Sequence, residues 1–68
     1  MDKVKYPDIK VKLTGEDSNV FNLMAIVVKA LKRNGVSKQE ITAFQNEVTN
    51  SSDYDVALGV MRAWVDVS

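Results

Sequence analysis

Val20–Leu31 has the sequence VFNLMAIVVKAL, in which only Asn22 and Lys29 are polar. A helix with apolar residues all around its axis cannot bury them against a single neighbour. It needs a shell of packing partners, and a chain of 68 residues has difficulty supplying one. The sequence therefore predicts a small, mostly α-helical domain, with nearly every side of this helix buried. We expect the core to be completed by homo-oligomerisation, as a dimer or a larger assembly.

Residue composition limits how so short a chain can be stabilised. The sequence contains neither cysteine nor histidine, so disulfides and zinc sites, the usual supports of small domains, are not expected. Self-association is the remaining means of support. No apolar signal region follows the first residues, and the longest apolar run, Leu23–Val28, is too short to cross a bilayer. We expect one domain, residues 1–68, in the cytoplasm, without membrane contact.

The charges cancel overall but are unevenly distributed. Residues 1–38 contain eight basic and four acidic side chains, whereas residues 39–68 contain one basic and five acidic. One interpretation is that the two halves attract each other, within a subunit or across a dimer. The other is that the first half presents a basic face to an anionic partner. A net charge of zero argues against strong nucleic-acid binding.

Residues 6–14 are predicted to form a β-strand. Ile9, Val11 and Leu13 alternate with polar residues, which is the period of a strand that has one solvent-exposed face. A lone strand needs a partner. It is either segment 64–67, which alternates weakly, or the same strand of another subunit.

Three helices are predicted after this strand, at about residues 19–34, 38–49 and 53–65. Asp17 or Ser18 is a suitable N-terminal cap for the first helix. Gly35 is expected to end it in a left-handed conformation, with Val36 folding back onto Leu31.

The second and third helices also have recognisable starts. Ser37 and Glu40 have the spacing of a capping box, and Ile41, Phe44 and Val48 then repeat at helical spacing. The third helix is expected to begin at Ser52 or Asp53. Gly59 is expected to allow another backbone to approach closely. The predicted apolar stripe of the third helix consists of Val56, Ala57, Val60, Met61 and Trp64.

Catalytic and metal chemistry is not expected from these residues. Without histidine or cysteine, acid–base and nucleophilic catalysis would need a shaped pocket that a chain of this size rarely builds. Asp53 and Asp55 lack the spacing of a calcium loop, and helix capping explains them better. Thr14 and Gly15 lack the lysine of a phosphate-binding loop. We therefore expect no enzyme activity, no metal and no cofactor.

Two sets of residues are candidates for functional contacts. The first set is basic or lies on the exposed face of the strand, and we expect it to contact a ligand or partner. It comprises Tyr6, Lys10, Lys12, Lys29, Lys32 and Arg33. The second set is apolar or small, and we expect it at the oligomer interface. It comprises Phe21, Met24, Val28, Gly59, Met61 and Trp64.

The first strand and the segment after it have a sequence that resembles a known class of small proteins. Residues 6–21, YPDIKVKLTGEDSNVF, followed by an apolar helix and a late Asp53-Tyr54-Asp55 before a tryptophan, resemble small proteins of phages and prophages. The resemblance assigns no role to any residue. It implies a non-enzymatic accessory protein that binds and modulates a host component, such as a defence factor. The alternatives are a sponge for a small anionic ligand, such as a signalling nucleotide held between subunits, and a weak nucleic-acid-binding protein.

Overall fold

Three helices and two short strands make up the part of the chain described by the computed structural model, residues 4–13 and 19–68. The predicted class, a mostly helical protein with one N-terminal strand followed by three helices, is confirmed. The second helix spans the predicted residues, and the first and third are one residue shorter at each end. In chain order the elements are β1 (Tyr6–Val11), α1 (Val20–Arg33), α2 (Lys38–Thr49), α3 (Tyr54–Trp64) and β2 (Val65–Val67).

β1 and β2 pair in parallel and form a two-stranded sheet. Val11 lies opposite Val67. Backbone hydrogen bonds between the two segments continue beyond the ends of both strands. The Ser68 N–H donates to the Val11 carbonyl, and the Leu13 N–H donates to the Ser68 carbonyl, both at 2.9 Å. Of the two strand partners left open by the sequence, the C-terminal segment is the one that pairs with β1 in this structure.

The core lies between the sheet and the three helices. On β1, Ile9 and Val11 are buried while Lys10 is exposed, which is the predicted alternation. α2 contributes its predicted stripe, and no polar side chain among the described residues is buried. The buried residues are Ile9, Val11, Leu23, Val27, Leu31, Ile41, Phe44, Val48, Ala57, Met61, Trp64 and Val65.

α1 is buried along one stripe only. Leu23, Val27 and Leu31 face the core, while Phe21 is 64% exposed and Val28 is half-buried. The prediction that nearly every side of this helix is buried is therefore wrong for the single chain. Two helices and a two-stranded sheet are too few elements to surround it. No helix in residues 4–13 and 19–68 is long and apolar enough to span a bilayer.

The N-terminal cap of α1 is Asn19. Its side-chain oxygen accepts a hydrogen bond from the Phe21 N–H at 2.9 Å, which satisfies one of the free donors of the first turn. The predicted caps, Asp17 and Ser18, lie outside the described residues, as does the end of the predicted strand at Thr14. Asn19 has the same capping chemistry, so the prediction placed the cap one or two residues too early.

The C-terminal end of α1 is the predicted left-handed turn. Gly35 has φ +77°, a conformation that is strained for residues with a Cβ. The Val36 N–H donates to the Leu31 carbonyl and the Gly35 N–H to the Lys32 carbonyl, both at 3.1 Å. These two bonds form a Schellman motif, which stops the helix and turns the chain into α2.

α2 and α3 both begin with side-chain caps. Ser37 Oγ accepts from the Glu40 N–H at 3.2 Å, which confirms the predicted start of α2. The Glu40 carboxylate, however, contacts Lys5 and Tyr6. At α3, Asp53 Oδ1 accepts a hydrogen bond from the Val56 N–H at 2.9 Å. Of the two predicted starts of this helix, Ser52 and Asp53, Asp53 is therefore the cap.

We expect Ser37→Ala to lower the free energy of unfolding by about 1 kcal/mol, because it removes the bond to the Glu40 N–H. Urea titration followed by circular dichroism should show a lower midpoint with an unchanged slope. Ser52→Ala is the matched control, since Asp53 and not Ser52 caps α3. Equal midpoints for the two variants would contradict the capping role.

The predicted stripe of α3 is correct for Ala57, Met61 and Trp64 but wrong for Val56, which is 45% exposed. At 100° per residue, Val56 points to one side of the stripe that starts at Ala57. The expected close approach at Gly59 is also absent within the described chain, because a Cβ built there meets no atom within 4 Å.

Candidate functional site

A cleft of about 320 Å³ lies between Lys10–Lys12 and the C-terminal half of α1. We call it the cationic cleft, because four of the described residues that line it are basic and none of them is acidic. The other lining residues are apolar, so the site combines positive charge with a hydrophobic surface. The basic lining residues are Lys10, Lys12, Lys29 and Arg33, and the apolar ones are Val11, Ile26 and Ala30.

Local sequence patterns explain why these cations meet. Lys10 and Lys12 flank a buried strand residue, and consecutive strand residues point to opposite faces, so both lysines are exposed. Lys29 and Arg33 are four residues apart on α1 and therefore lie on one helix face. Cationic side chains near a helix C-terminus are also favoured by the helix dipole. The strand thus supplies two cations and the helix the other two.

Within residues 4–13 and 19–68, none of the four cations forms an ion pair. Asp66 lies opposite Lys10 in the sheet register without forming an ion pair with it. Like charges that share a cleft repel one another, and the low-dielectric wall of the protein strengthens their combined field. A bound anion would relieve this repulsion, so the arrangement is suited to binding negative charge.

The structure separates two predicted contact residues from the other four. Lys32 is exposed on α1 but does not line the cationic cleft. Tyr6 was expected on the exposed face with Lys10, but its hydroxyl donates to the Glu40 carboxylate at 3.0 Å and its ring is 6.0 Å from that of Trp64. The pairing with β2 shifts register between Tyr6 and Lys10. The alternation of exposed and buried residues along the strand therefore does not predict the position of Tyr6.

Tyr6 belongs instead to a second polar group, the Trp64 cluster, which comprises Lys5, Tyr6, Glu40, Glu47 and Trp64. Lys5 Nζ lies 2.5 Å from Glu40 Oε1 and 4.2 Å from the Trp64 ring centroid. The Trp64 indole N–H donates to the Glu47 carboxylate. The cluster joins the start of β1 to α2 and α3. Sequence analysis missed it, because its members are far apart in the chain and share no motif.

The pKa shifts in the Trp64 cluster follow from these contacts. Hydrogen bonds from Lys5 and then Tyr6 lower the pKa of Glu40 below its ordinary value. The hydrogen bond to Glu40 raises the pKa of Lys5, while desolvation, followed by the same carboxylate, raises the pKa of Tyr6. The charges of Lys5 and Glu40 therefore neutralise each other. A cleft of about 490 Å³ lies next to them, and Asp8 is the one other charged side chain among the described residues that line it.

The lowered pKa of Glu40 predicts a loss of stability in acid. The folded state binds the proton of Glu40 less tightly than the unfolded state does. This contribution is present above the unfolded pKa, about 4.3, and is lost as pH falls through the lower folded value. Urea midpoints of wild type and Glu40→Gln should therefore differ at pH 7, and the difference should shrink as pH falls through the lowered pKa of Glu40. Asp8→Asn, at an exposed residue, is the control, and a constant difference for Glu40→Gln would contradict the assignment.

The predicted interface residues divide into two groups. Met61 and Trp64 are buried in the core of their own subunit, so the prediction that they face a second subunit is wrong. Both lie on the stripe of α3 that packs against α2 and the sheet. Phe21 and Gly59 are exposed, and Met24, like Val28, is half-buried, so these four remain accessible.

Sequence analysis did not single out Tyr54 as an exposed apolar residue. Tyr54 is 43% exposed and lines a cleft of about 260 Å³ together with Val20 and Phe21. We call these three residues the apolar surface. Its position next to Asp53, at the start of α3, places it near the acidic part of the chain.

No group of three carboxylates that could hold a metal ion occurs in the described part of the chain. Comparison with known proteins gives no match to a protein-family model, a curated protein or a solved structure. The resemblance to phage and prophage proteins therefore stays a prediction.

Proposed function

We propose that this protein is a non-enzymatic binding module that contacts an anionic partner through the cationic cleft. The observation that supports the proposal is the convergence of four cations with no acidic lining residue and no ion pair in the described chain. A site of this kind attracts a partner by charge and fixes its orientation by contact.

The proposed partner is a host protein, such as a defence factor, and the proposed setting is the cytoplasm of an infected cell. The support is the resemblance of residues 6–21 to small phage and prophage proteins. This resemblance implies a protein that acts by binding a host component. An acidic surface or segment of such a host protein is complementary to the cationic cleft.

We further propose that the module works as a homo-oligomer, with the apolar surface at the contact between subunits. Phe21 is a large apolar side chain left mostly in water by the single chain. Exposed apolar patches of this type mark interaction sites. A second subunit placed there would also cover part of α1.

A small anionic ligand, such as a signalling nucleotide, is the alternative occupant of the cationic cleft. The observation in its favour is the concave shape of the site, which brings four cations around one volume of about 320 Å³. Weak nucleic-acid binding ranks third. Only four of the nine basic residues line the cationic cleft, and the chain has no net charge, whereas nucleic-acid-binding proteins usually carry an extended basic footprint.

The test is reversal of two cleft charges, Lys10→Glu with Lys12→Glu, in capture from host lysate followed by native mass spectrometry. If the partner is a host protein, reversal should slow association and reduce capture about tenfold, because part of the contact remains. If the ligand is a nucleotide, the same reversal should abolish its retention. The matched control is Lys32→Glu with Lys38→Glu, which changes the charge equally at exposed residues outside the cleft.

Equal behaviour of the two double variants would contradict the proposed role of the cationic cleft. Circular dichroism must first show that both variants are folded. We expect this result, because all four lysines are exposed. If both variants bind as the wild type does, the acidic surface around Glu47, Asp53 and Asp55 becomes the next candidate, with a basic partner.

A further inference from the structure

One edge of β1 has no strand beside it among the described residues. The sheet contains only β1 and β2, and β2 occupies the edge toward which the Val11 carbonyl and Leu13 N–H point, since both bond to Ser68. Successive peptide groups of a strand point to alternate sides. The N–H and carbonyl groups of Lys10 and Lys12 therefore point to the opposite edge.

Lys10 and Lys12, whose backbone groups point to this edge, also line the cationic cleft. Lys10–Lys12 forms one side of the cleft, and the Ile26–Arg33 part of α1 forms the other. A groove between a strand edge and a helix is a recurrent site for peptides, which bind as an additional strand through their main chain. The apolar lining residues offer contacts for alternate side chains of such a peptide, because a strand presents every second residue to one face.

The positive charge of the cleft determines which kind of strand can pair with the free edge of β1. If a second copy of β1 paired along this edge, it would bring its own lysines next to Lys10 and Lys12, and like charges on neighbouring strands destabilise pairing. Lysine on an edge strand also prevents unwanted association of this kind. An acidic segment has the opposite effect, since its carboxylates would lie beside Lys10, Lys12, Lys29 and Arg33.

We infer that the cationic cleft binds an extended, acidic segment of the partner protein as a third strand beside β1. The inference rests on the proposed function and specifies its partner. A free phosphate group would use only the four charges, and a nucleotide would leave the backbone groups of the strand edge without a partner strand. A peptide with alternating acidic and apolar residues would contact the four charges, the strand edge and the apolar lining residues.

The first measurement is fluorescence anisotropy with labelled peptides and the full chain. The probe is Glu-Val-Glu-Val-Glu-Val, and Lys-Val-Lys-Val-Lys-Val is its charge control. We expect the acidic peptide to bind at least about a hundredfold more tightly than the basic one, since four cations line the site. Lys29→Glu with Arg33→Glu should remove most of this preference, because the cleft then contains two basic and two acidic side chains. Asp66→Asn should strengthen acidic-peptide binding a few-fold, because Asp66 lies opposite Lys10.

The second measurement separates strand addition from attraction between charges. Two further acidic peptides are N-methylated, one at the odd and one at the even amides. Only one set of amides faces β1 in a strand, so one methylated peptide should lose about tenfold or more in affinity while the other binds normally. Hydrogen exchange of the protein should slow at the Lys10 and Lys12 amides when the unmodified peptide binds. The Val11 amide, on the β2 side, should change little.

Each failure has a distinct meaning. If both methylated peptides bind as the unmodified one does, and the two lysine amides do not slow, strand addition is wrong while the proposed cationic contact stands. If ATP or a short oligothymidylate binds but the acidic peptide does not, the inference is overturned in favour of a small anionic ligand or a single-stranded nucleic acid. If none of the probes binds, and reversal at Lys10 and Lys12 leaves capture unchanged, the proposed function itself fails.

Discussion

Phe44→Ala should strongly destabilise the fold and raise the unfolded fraction of the chain at 25 °C. The side chain is fully buried and its ring lies edge-on to Trp64 at 5.4 Å between centroids. Truncating such a residue costs about 3–5 kcal/mol through lost burial and the cavity left behind. A domain of this length has a total stability of roughly 3–10 kcal/mol, so the loss is comparable with the whole. Circular dichroism and urea titration of the purified variant measure it.

The control is the same substitution at Phe21, which is 64% exposed. Phe21→Ala should change the free energy of unfolding by less than about 0.5 kcal/mol when measured at concentrations where the chain is monomeric. The difference in burial alone thus predicts a large loss of stability for Phe44→Ala and a small one for Phe21→Ala. Equal losses in the two variants would mean that Phe21 is buried in solution or that Phe44 is not.

Phe21→Asp should convert the proposed oligomer to a monomer. A charge placed on the apolar surface would be desolvated without a partner when two subunits meet, and such burial is strongly unfavourable. Light scattering after size exclusion at about 100 µM should give the mass of a dimer or larger for the wild type and of a monomer for the variant. Ala43→Asp is the matched control, because Ala43 is exposed on α2 and lines none of the three clefts.

A wild-type chain that is monomeric at this concentration and unfolds cooperatively would contradict self-association. The single subunit would then be stable with Phe21 in water. If the wild type is an oligomer and Phe21→Asp leaves it intact, another surface makes the contact. Met24 and Val28, which are half-buried on α1, would be the next residues to substitute.

Local signals explain the success of the sequence-based prediction of the fold. The cap at Ser37 and the left-handed turn at Gly35 depend on residues within one or two helical turns, so their types and spacing contain the needed information. The alternation of Ile9 and Val11 likewise reports which face of β1 is buried. The helix boundaries, to within one residue, and the exposed lysines were predicted from such patterns.

Features that depend on distant residues were predicted less well. The register shift after Tyr6 arises from pairing with β2 and has no local signal. The position of Tyr6 beside Glu40 was therefore missed. Met61 and Trp64 are large apolar residues of the types found at interfaces. Residues buried in the core of a subunit have the same types and helical spacing, so the sequence does not distinguish the two positions. The cationic cleft brings together four of the predicted contact residues, whereas the separation of Lys32 from them depends on the packing of α1 on the strand.

The pairing of β1 with β2 also has consequences for the order of folding. Val11 and Val67 are bonded neighbours in the sheet although three helices separate them in the chain. Closing so long a loop costs more entropy than forming the contacts within or between consecutive helices, and such contacts slow folding. The helices are therefore expected to assemble first and the sheet to close last. During synthesis, β1 leaves the ribosome well before β2, so both of its edges stay open until translation reaches the last strand.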